Sequence, residues 1–242
     1  MASKIYMICH DDDSEKTARM YANCIPIRIS NENRLFESQV FDLLAERKEE
    51  WEGSEWVGIL TYSIHKRLGF DFVNNKLSLI LDQLKGKADV VPLFNLNFMK
   101  PRVERPVPFF ESVSFQMGSS CFLGIYLMLK ELGYTEEQIM DPEIKGFFSN
   151  WWICKPKWMS QYIEFYKKCK HISENNAIVK KCLTADGYYA GNVAPGRLVK
   201  IFGRPIYEMT PFLFERLPCF YFGMEKAKVV PGGINGRWDL GD

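Results

Sequence analysis

The stretch KIYMICHDDD, residues Lys4–Asp13, joins an unbroken apolar run to a histidine and consecutive aspartates. Such a run is typical of an inner strand of a parallel sheet, buried on both faces. The following residues 14–23 lack Gly and Pro, which favours a helix and therefore the first half of a βαβ unit. Because ligands of open α/β sheets bind beyond the carboxyl ends of their strands, we expect His10–Asp13 to border the functional site.

The rest of the first half repeats this alternation of strands and helices. Nearly continuous apolar runs cover residues 55–63 and 88–94, and a helix is predicted between them over residues 76–85. Ile25–Ile29 predicts a shorter strand, whose proline favours its first position or an edge of the sheet. The pattern therefore predicts an α/β layer structure. Later predicted elements are a strand over Gly146–Cys154, a helix that begins at Pro156, a glycine-rich loop over Gly187–Gly203 and a helix over Pro211–Phe222.

The composition is that of an ordinary globular chain. A length of 242 residues with 47% hydrophobic residues suits a single domain. The formal net charge of +1, without a basic stripe, argues against nucleic-acid binding. The seven cysteines are scattered without a CxxC pair, which suits a reducing compartment. Because no apolar run approaches the roughly 20 residues of a membrane span, we expect a soluble cytoplasmic protein without one.

Several common catalytic motifs are missing from the sequence. It contains no GxGxxG, GxxxxGK[ST], GxSxG or HExxH. Dinucleotide-binding, P-loop, α/β-hydrolase and zincin functions therefore lack their usual sequence support.

The acidic turn after the first predicted strand allows two interpretations. Asp11–Asp13 can cap the following helix and complement its dipole. The same carboxylates can instead contact a nucleotide, or help to hold a divalent cation through hard oxygen ligands. His10 is equally open, either as a packed histidine at a strand end or as a ligand contact.

Three other polar sites in the sequence each allow a structural and a functional interpretation. Lys66 and Arg67 form a solvated loop, or they hold a diphosphate by charge-assisted hydrogen bonds. Asp89, at the start of a predicted buried strand, is paired with a neighbour or points into a cleft. Glu215 and Arg216 form a salt bridge within an aromatic helix, or Glu215 is a catalytic carboxylate.

Three blocks of sequence form a pattern when taken together. They are KIYMICHDDD (4–13), SEWVGILTYSIHKRL (54–68) followed by KADVVPLF (87–94), and NWWICKPKWMSQYIEFY (150–166) with the later PFLFERLP (211–218). The pattern resembles glycosyltransferases with the GT-A fold, in particular the small family linked to capsular and exopolysaccharide synthesis. It is also similar, more distantly, to glycosyltransferases encoded by large algal DNA viruses.

This resemblance implies both a fold and an activity. The fold would be a single GT-A-like, Rossmann-related domain with a mostly parallel central sheet flanked by helices. Residues 1–98 would form its nucleotide-sugar-binding half, residues 99–222 its acceptor-side half, and residues 223–242 a partly ordered tail. The activity would be transfer of a hexose or deoxyhexose from a nucleotide-diphosphate donor, a UDP-sugar, to a hydroxyl of a glycan or glycoprotein.

The resemblance also implies site residues. The nucleotide sugar would lie across the ends of the early strands, and aromatic faces would pack against sugar rings on the acceptor side. The donor-side residues would be Cys9, His10, Asp11, Asp12, Asp13, Thr61, Tyr62, Lys66, Arg67 and Lys87. The acceptor-side residues would be Asn150, Trp151, Trp152 and Arg216.

The chain departs from the family pattern at two positions that concern the diphosphate. Thr61-Tyr62-Ser63 stands where the family has His-Tyr-Arg, and Lys87-Ala88-Asp89 stands where many GT-A enzymes have Asp-x-Asp. Two alternatives follow from the second departure. Asp89 alone holds Mn²⁺ or Mg²⁺, or the cations Lys87, Lys66 or Arg67 offset the charge of the leaving group instead.

Sugar transfer with inversion also needs a carboxylate base for the acceptor hydroxyl. We expect Glu215 to be this base, with Asp89 as the second candidate. The interpretation requires His10, Lys66 and Asp89 to share one cavity. The competing hypotheses are a non-catalytic carbohydrate- or nucleotide-binding module on the same fold, and a scaffold whose exposed aromatic residues form a partner interface.

Overall fold

The computed structural model describes residues 2–30, 34–93, 108–144, 146–147, 149–187 and 195–230, without the side chains of 115–118 and 195. The strands are β1 Lys4–Cys9, β2 Cys24–Arg28, β3 Val57–Thr61, β4 Val90–Pro92 and β5 Trp152–Cys154. The α-helices are α1 Asp12–Ala18, α2 Val40–Glu46, α3 Lys48–Trp51, α4 His65–Leu68, α5 Leu77–Gln83, α6 Phe109–Glu131, α7 Glu136–Ile139, α8 Pro156–Asn175, α9 Ala177–Leu183, α10 Pro195–Phe202, α11 Thr210–Phe214 and α12 Leu217–Met224. Short 3₁₀ turns cover Phe36–Gln39 and Tyr62–Ile64, and a π-helical turn covers Phe72–Lys76.

The five strands form one mixed sheet in the order β2-β1-β3-β5-β4. β1 pairs in parallel with both β2 and β3. β5 is antiparallel to β3 and to β4, so β4 runs in the same direction as β1. The chain is therefore an α/β protein, as the alternation of apolar runs predicts. Its sheet is mixed rather than mostly parallel as expected, because β5 runs antiparallel to both of its neighbours.

The apolar run of β1 is divided between two cores, one on each face of the sheet. Tyr6 and Ile8 belong to the cluster that packs α2, α6, α8 and α12 against one face. Ile5, Met7 and Cys9 belong to the cluster under α1 and α5 on the other face. A strand with apolar side chains on both faces needs this covering on both sides, which confirms the prediction of a doubly buried strand.

Local signals account for several element ends. Asp11 caps α1, because its Oδ1 accepts from the Ser14 amide at 2.7 Å while Ser14 Oγ accepts from the Asp11 amide at 2.9 Å. Pro156 occupies the first turn of α8, as predicted. Pro26 lies in β2, which is an edge strand, and this confirms the positional rule for proline.

Four predicted elements are wrong in their extent. The helix predicted over residues 14–23 ends at Ala18, and the helix predicted over Pro211–Phe222 is divided into α11 and α12. The strand predicted over Gly146–Cys154 is confined to Trp152–Cys154, because Ser149 has a φ of 66°, outside the extended region. The loop predicted over Gly187–Gly203 contains α10, whose Leu198, Ile201 and Phe202 form a small core with Tyr207.

The C-terminal part of the described chain packs against the edge strand β4. The Val230 amide donates to the Val90 carbonyl at 2.9 Å, and Val229 forms a parallel bridge with Val90. Residues 231–242, which complete the predicted tail, lie outside the described residues. Among the residues described, no helix combines the length and the apolar character needed to cross a bilayer.

Candidate functional site

The sheet topology brings four chain segments to one edge. β1, β2 and β3 all end there, and β5 begins there because it runs antiparallel. His10, Glu37, Tyr62 and Asn150 lie on these segments, and we call this side of the sheet the carboxyl edge. The opposite side, where β3 and β4 begin and β5 ends, is the amino edge, marked by Glu55, Asp89 and Lys155.

Glu37 is held at the carboxyl edge by the side chain of Gln39. The Gln39 amide group bonds both backbone groups of Ser30: Oε1 accepts from the Ser30 amide at 2.9 Å, and Nε2 donates to the Ser30 carbonyl at 2.7 Å. The same Nε2 donates to the Phe36 carbonyl at 2.9 Å. These bonds fold the 3₁₀ turn that carries Glu37 back onto the end of β2.

Backbone strain lies immediately before two of the site residues. Phe36 precedes Glu37 and has a φ of 45°, and Ser149 precedes Asn150 and has a φ of 66°. Left-handed conformations are unfavourable for residues with a side chain, and they cluster at functional sites where the surrounding structure maintains them. The Phe36 ring is held by stacking on Tyr207, with ring centroids 5.3 Å apart.

Glu37 and Glu215, the acid pair, come together with Asn150. Glu215 lies at the junction of α11 and α12, and Arg216 Nη1 is 3.6 Å from its Oε2. Asn150 is fully buried, bonds the Glu37 side chain and donates from Nδ2 to Ser38 Oγ at 3.3 Å. Among the described residues, Asn150 Oδ1 has no hydrogen-bond partner.

The electrostatics of the acid pair are unusual for carboxylates. Burial and the neighbouring Glu215 carboxylate raise the pKa of Glu37 to about 8, although the Asn150 amide favours its charged form. Burial also raises the pKa of Glu215, while Arg216 opposes that change. Both side chains nevertheless remain partly exposed, so solvent or a ligand can reach them. Perturbed carboxyl groups with solvent access are typical of catalytic and binding sites.

His10, Tyr62 and Arg197 form the other part of the edge. His10 packs edge-to-face on Tyr62, with ring centroids 5.1 Å apart, and its Nε2 lies 3.3 Å from Asp11 Oδ2. Burial lowers the pKa of His10, which keeps the imidazole neutral near pH 7. Burial, Asp11 and Glu37 raise the pKa of Tyr62. The positive charge of Arg197 lowers the pKa of both His10 and Tyr62.

The carboxyl edge therefore collects many of the residues predicted from the sequence. The structure brings together His10, Asp11, Tyr62, Asn150, Trp151, Glu215 and Arg216 around this edge. Asp11 caps α1, so the capping interpretation is confirmed for it. Asp12 pairs with Arg28 at 2.8 Å and Asp13 with Lys16 at 3.2 Å, and both acids are exposed on α1.

Three predicted contact residues are too buried to touch a ligand directly. Cys9 is fully buried, with its Sγ 3.5 Å from the Ile27 carbonyl. Thr61 Oγ1 accepts from Trp151 Nε1 at 2.8 Å inside the protein. Trp152 is fully buried and stacks on Phe41, so it cannot pack against a sugar ring on the acceptor side.

Asp89 and Lys87 lie at the amino edge, across the sheet from His10. Asp89 precedes β4, and its Oδ2 accepts from the Lys228 amide at 2.9 Å. The cavity that the transferase interpretation required His10, Lys66 and Asp89 to share therefore does not form, because Asp89 stands at the wrong end of its strand. That requirement was wrong, and a transferase at the carboxyl edge would have to work without Asp89. For the same reason Asp89 does not fit a metal ion that bridges a diphosphate at the carboxyl edge.

In the described part of the chain, no three His, Cys, Asp or Glu side chains are grouped closely enough to hold a metal ion. Lys66 and Arg67 are exposed on α4. Neighbouring His65 is a structural residue, because its Nδ1 lies 2.9 Å from the Tyr21 hydroxyl and its ring stacks on Phe70.

The sequence interpretation missed Glu37 and Arg197. Glu37 was hidden within the apolar helix pattern of Leu35, Phe36 and Val40, and Arg197 lay in the segment predicted to be a loop. No positional signal marks Glu37, because residues 29–36 separate it from the end of β2 at Arg28, whereas His10 directly follows β1. Two described grooves, of about 350 and 310 Å³, are lined by none of the predicted site residues.

Comparisons of the chain with models of protein families, with curated proteins and with solved structures found no match. The geometry of the carboxyl edge and the three sequence blocks are therefore the observations that bear on function.

Proposed function

We propose that this protein is a glycosyltransferase that moves a sugar from a nucleotide-diphosphate donor, a UDP-sugar, to a hydroxyl of a glycan or glycoprotein. One observation carries the proposal: Glu215, distant in sequence, meets Glu37 and Asn150 at the carboxyl edge of a partly parallel sheet. Ligands of such sheets bind at this edge, and a raised carboxyl pKa suits a group that exchanges protons near neutral pH.

The proposed reaction assigns Glu215 the role of base. Its carboxylate takes the proton of the acceptor hydroxyl as that oxygen bonds to the anomeric carbon of the donor. The bond between this carbon and the diphosphate oxygen breaks, and the electron pair leaves with the diphosphate. Burial raises the pKa of Glu215, which makes it a stronger base than an exposed carboxylate.

The donor would lie on the His10 and Tyr62 side of the edge. A neutral imidazole and a phenol can bond the ribose or base of a nucleotide without charge. Arg197, which acts electrostatically on both rings, is placed to offset the charge of the departing diphosphate. A divalent cation such as Mn²⁺ or Mg²⁺ would supply the same offset of charge when bound.

The first experiment is a thermal-shift panel of nucleotides and UDP-sugars, each run with Mn²⁺, Mg²⁺ and chelator, together with an assay for UDP release. A glycosyltransferase should be stabilised by a UDP-sugar and should release UDP. A binding module would be stabilised without release. A scaffold protein would show neither response.

The second experiment is the substitution Glu215→Gln. We expect transfer to fall by about 10²–10⁴-fold, while stabilisation by the UDP-sugar persists because the base contacts the acceptor. Glu225→Gln, at an exposed acid that follows α12, is the matched control. Unchanged turnover in Glu215→Gln would remove this residue from the mechanism.

A further inference from the structure

We propose that the acid pair shares a single proton carried by Glu37, so that one ligand hydroxyl accepts a hydrogen bond from Glu37 while it donates its own to Glu215. This inference rests on the proposed function and deepens it. It adds Glu37 as a second residue that contacts the reacting hydroxyl, and it identifies the occupant of the pair as a neutral alcohol.

The position of the positive charge decides which acid holds the proton. Arg216 lies beside Glu215, 3.6 Å from its Oε2, and favours the ionised form of that residue. Glu37 has the Glu215 carboxylate as its charged neighbour and the neutral Asn150 amide as its hydrogen-bonding neighbour. Two desolvated carboxylates side by side cannot both stay ionised at low cost. The proton therefore belongs on Glu37.

The other groups around Glu37 are consistent with this assignment. Tyr62, which directly follows β3, is a neutral phenol near Glu37, and its pKa would be raised further by an ionised Glu37. Ser38, on the same turn, receives the Asn150 Nδ2 bond. His10, Asp11 and Arg197 lie beyond Tyr62 and act on Tyr62 or on one another, with no resolved effect on Glu37. Among the described residues, Glu215 is thus the charged group that, together with burial, raises the pKa of Glu37.

Asn150 provides an observation independent of the two acids. It is fully buried beside them, and its Oδ1 has no partner among the described residues. The residue before it, Ser149, has a strained φ of 66°. A buried polar group with an unused acceptor is costly for folding alone, and its retention is typical of a site where stability is subordinate to binding.

The proton also determines which ligand group fits. One acid donates and its neighbour accepts, so the occupant must do both, as a hydroxyl or water does. An ammonium group has no lone pair for Glu37, and a carboxylate has no proton for Glu215. As the hydroxyl oxygen attacks, its proton moves to Glu215 while Glu37 keeps its own proton and maintains its hydrogen bond.

The test uses the full chain and UDP-glucose, with water as the acceptor, and measures UDP release from pH 6 to 10. We expect the wild-type rate to fall about tenfold per pH unit above the point where Glu37 ionises. Glu37→Gln, which retains a donor, should lower the rate tenfold or less at pH 7 and abolish the alkaline decline. Glu37→Leu, which retains none, should lower it at least a hundredfold. Glu225→Gln is the control for both.

A second measurement does not depend on turnover. The infrared spectrum at pH 7 should contain a protonated carboxyl band that disappears in Glu37→Gln and persists in Glu225→Gln. If this band is present but no UDP is released, the proposed function fails and the shared proton stands. If UDP is released but the band and the alkaline decline are both missing, the shared proton is wrong and the transferase proposal stands.

Discussion

Two glutamates at opposite edges of the same sheet are in opposite electrostatic situations. At the amino edge, Glu55 forms two ion pairs: its Oε1 lies 2.6 Å from Lys155 Nζ and its Oε2 lies 2.9 Å from Lys85 Nζ. These ammonium groups lower the pKa of Glu55 to about 2. At the carboxyl edge, burial beside Glu215 raises the pKa of Glu37 to about 8. Glu55 is paired with two lysines, whereas Glu37 lies beside a second carboxyl group, that of Glu215.

This difference separates a structural contact from a candidate site. An ion pair such as Glu55–Lys155 gives a small gain in stability and requires no functional explanation. The acid pair costs stability, as do the left-handed residues Phe36 and Ser149 that precede Glu37 and Asn150. Local arrangements that oppose folding are expected where function requires them.

The largest effect should come from removing the cation of the carboxyl edge, as in Arg216→Met. Arg216 is buried, and loss of one partner from a buried ion pair costs about 3–5 kcal/mol. The loss should be greater at pH 8.5 than at pH 5, because Glu215 can be protonated at the lower pH. Urea denaturation at both pH values measures it.

Lys155→Met at the amino edge is the control for this prediction. Glu55 keeps Lys85 in that variant, and its side chain reaches solvent, so the loss should be much smaller. Equal losses in the two variants would mean that the two edges do not differ in the way proposed.

The second effect in size is a change in the pH dependence of stability at Glu37. Its pKa is about 8 in the folded chain, against an ordinary value of 4.5, so the folded state binds more protons between these values. Stability therefore falls as the pH rises through this window, by up to about 1.4 kcal/mol per pH unit. Glu37→Gln should remove this dependence and raise the melting temperature at pH 8.5 by several °C. Identical slopes in the wild type and the variant would contradict the raised pKa.

The fold was largely predictable because its signals are local. The unbroken apolar run of β1 predicts a strand covered on both faces, and Pro26 predicts that β2 is an edge strand of the sheet. The start of β5 was not predictable, since no local sequence signal marks the left-handed φ of Ser149 that precedes it. The helix α10 could have been found from the spacing of Leu198, Ile201 and Phe202.

Part of the site was predictable from one rule, which concerns the residues that directly follow parallel strands. Residues that follow parallel strands meet at the carboxyl edge, which correctly places His10 and Tyr62 there. Asp89 precedes its strand, so the same rule assigns it to the amino edge. The rule does not identify Glu37, because residues 29–36 separate it from the end of β2. The meeting of Glu37 with Glu215 had no such signal, because it depends on how the C-terminal helices pack on the sheet.

The smallest effect, and the sharpest comparison, is Glu55→Gln. The lysines hold the pKa of Glu55 at about 2 in the folded chain, below its ordinary 4.5, so its contribution to stability is present above pH 4.5 and disappears as the pH falls through 2. At pH 7 the variant should melt a few °C lower at most, since the pair is solvent-accessible. Glu55→Gln and Glu37→Gln make the same chemical change, yet melting curves should shift downward for the first at pH 7 and upward for the second at pH 8.5. Shifts of the same sign would show that the two edges of the sheet hold their carboxylates in equivalent environments, and the case for a site at the carboxyl edge would then lose its electrostatic basis.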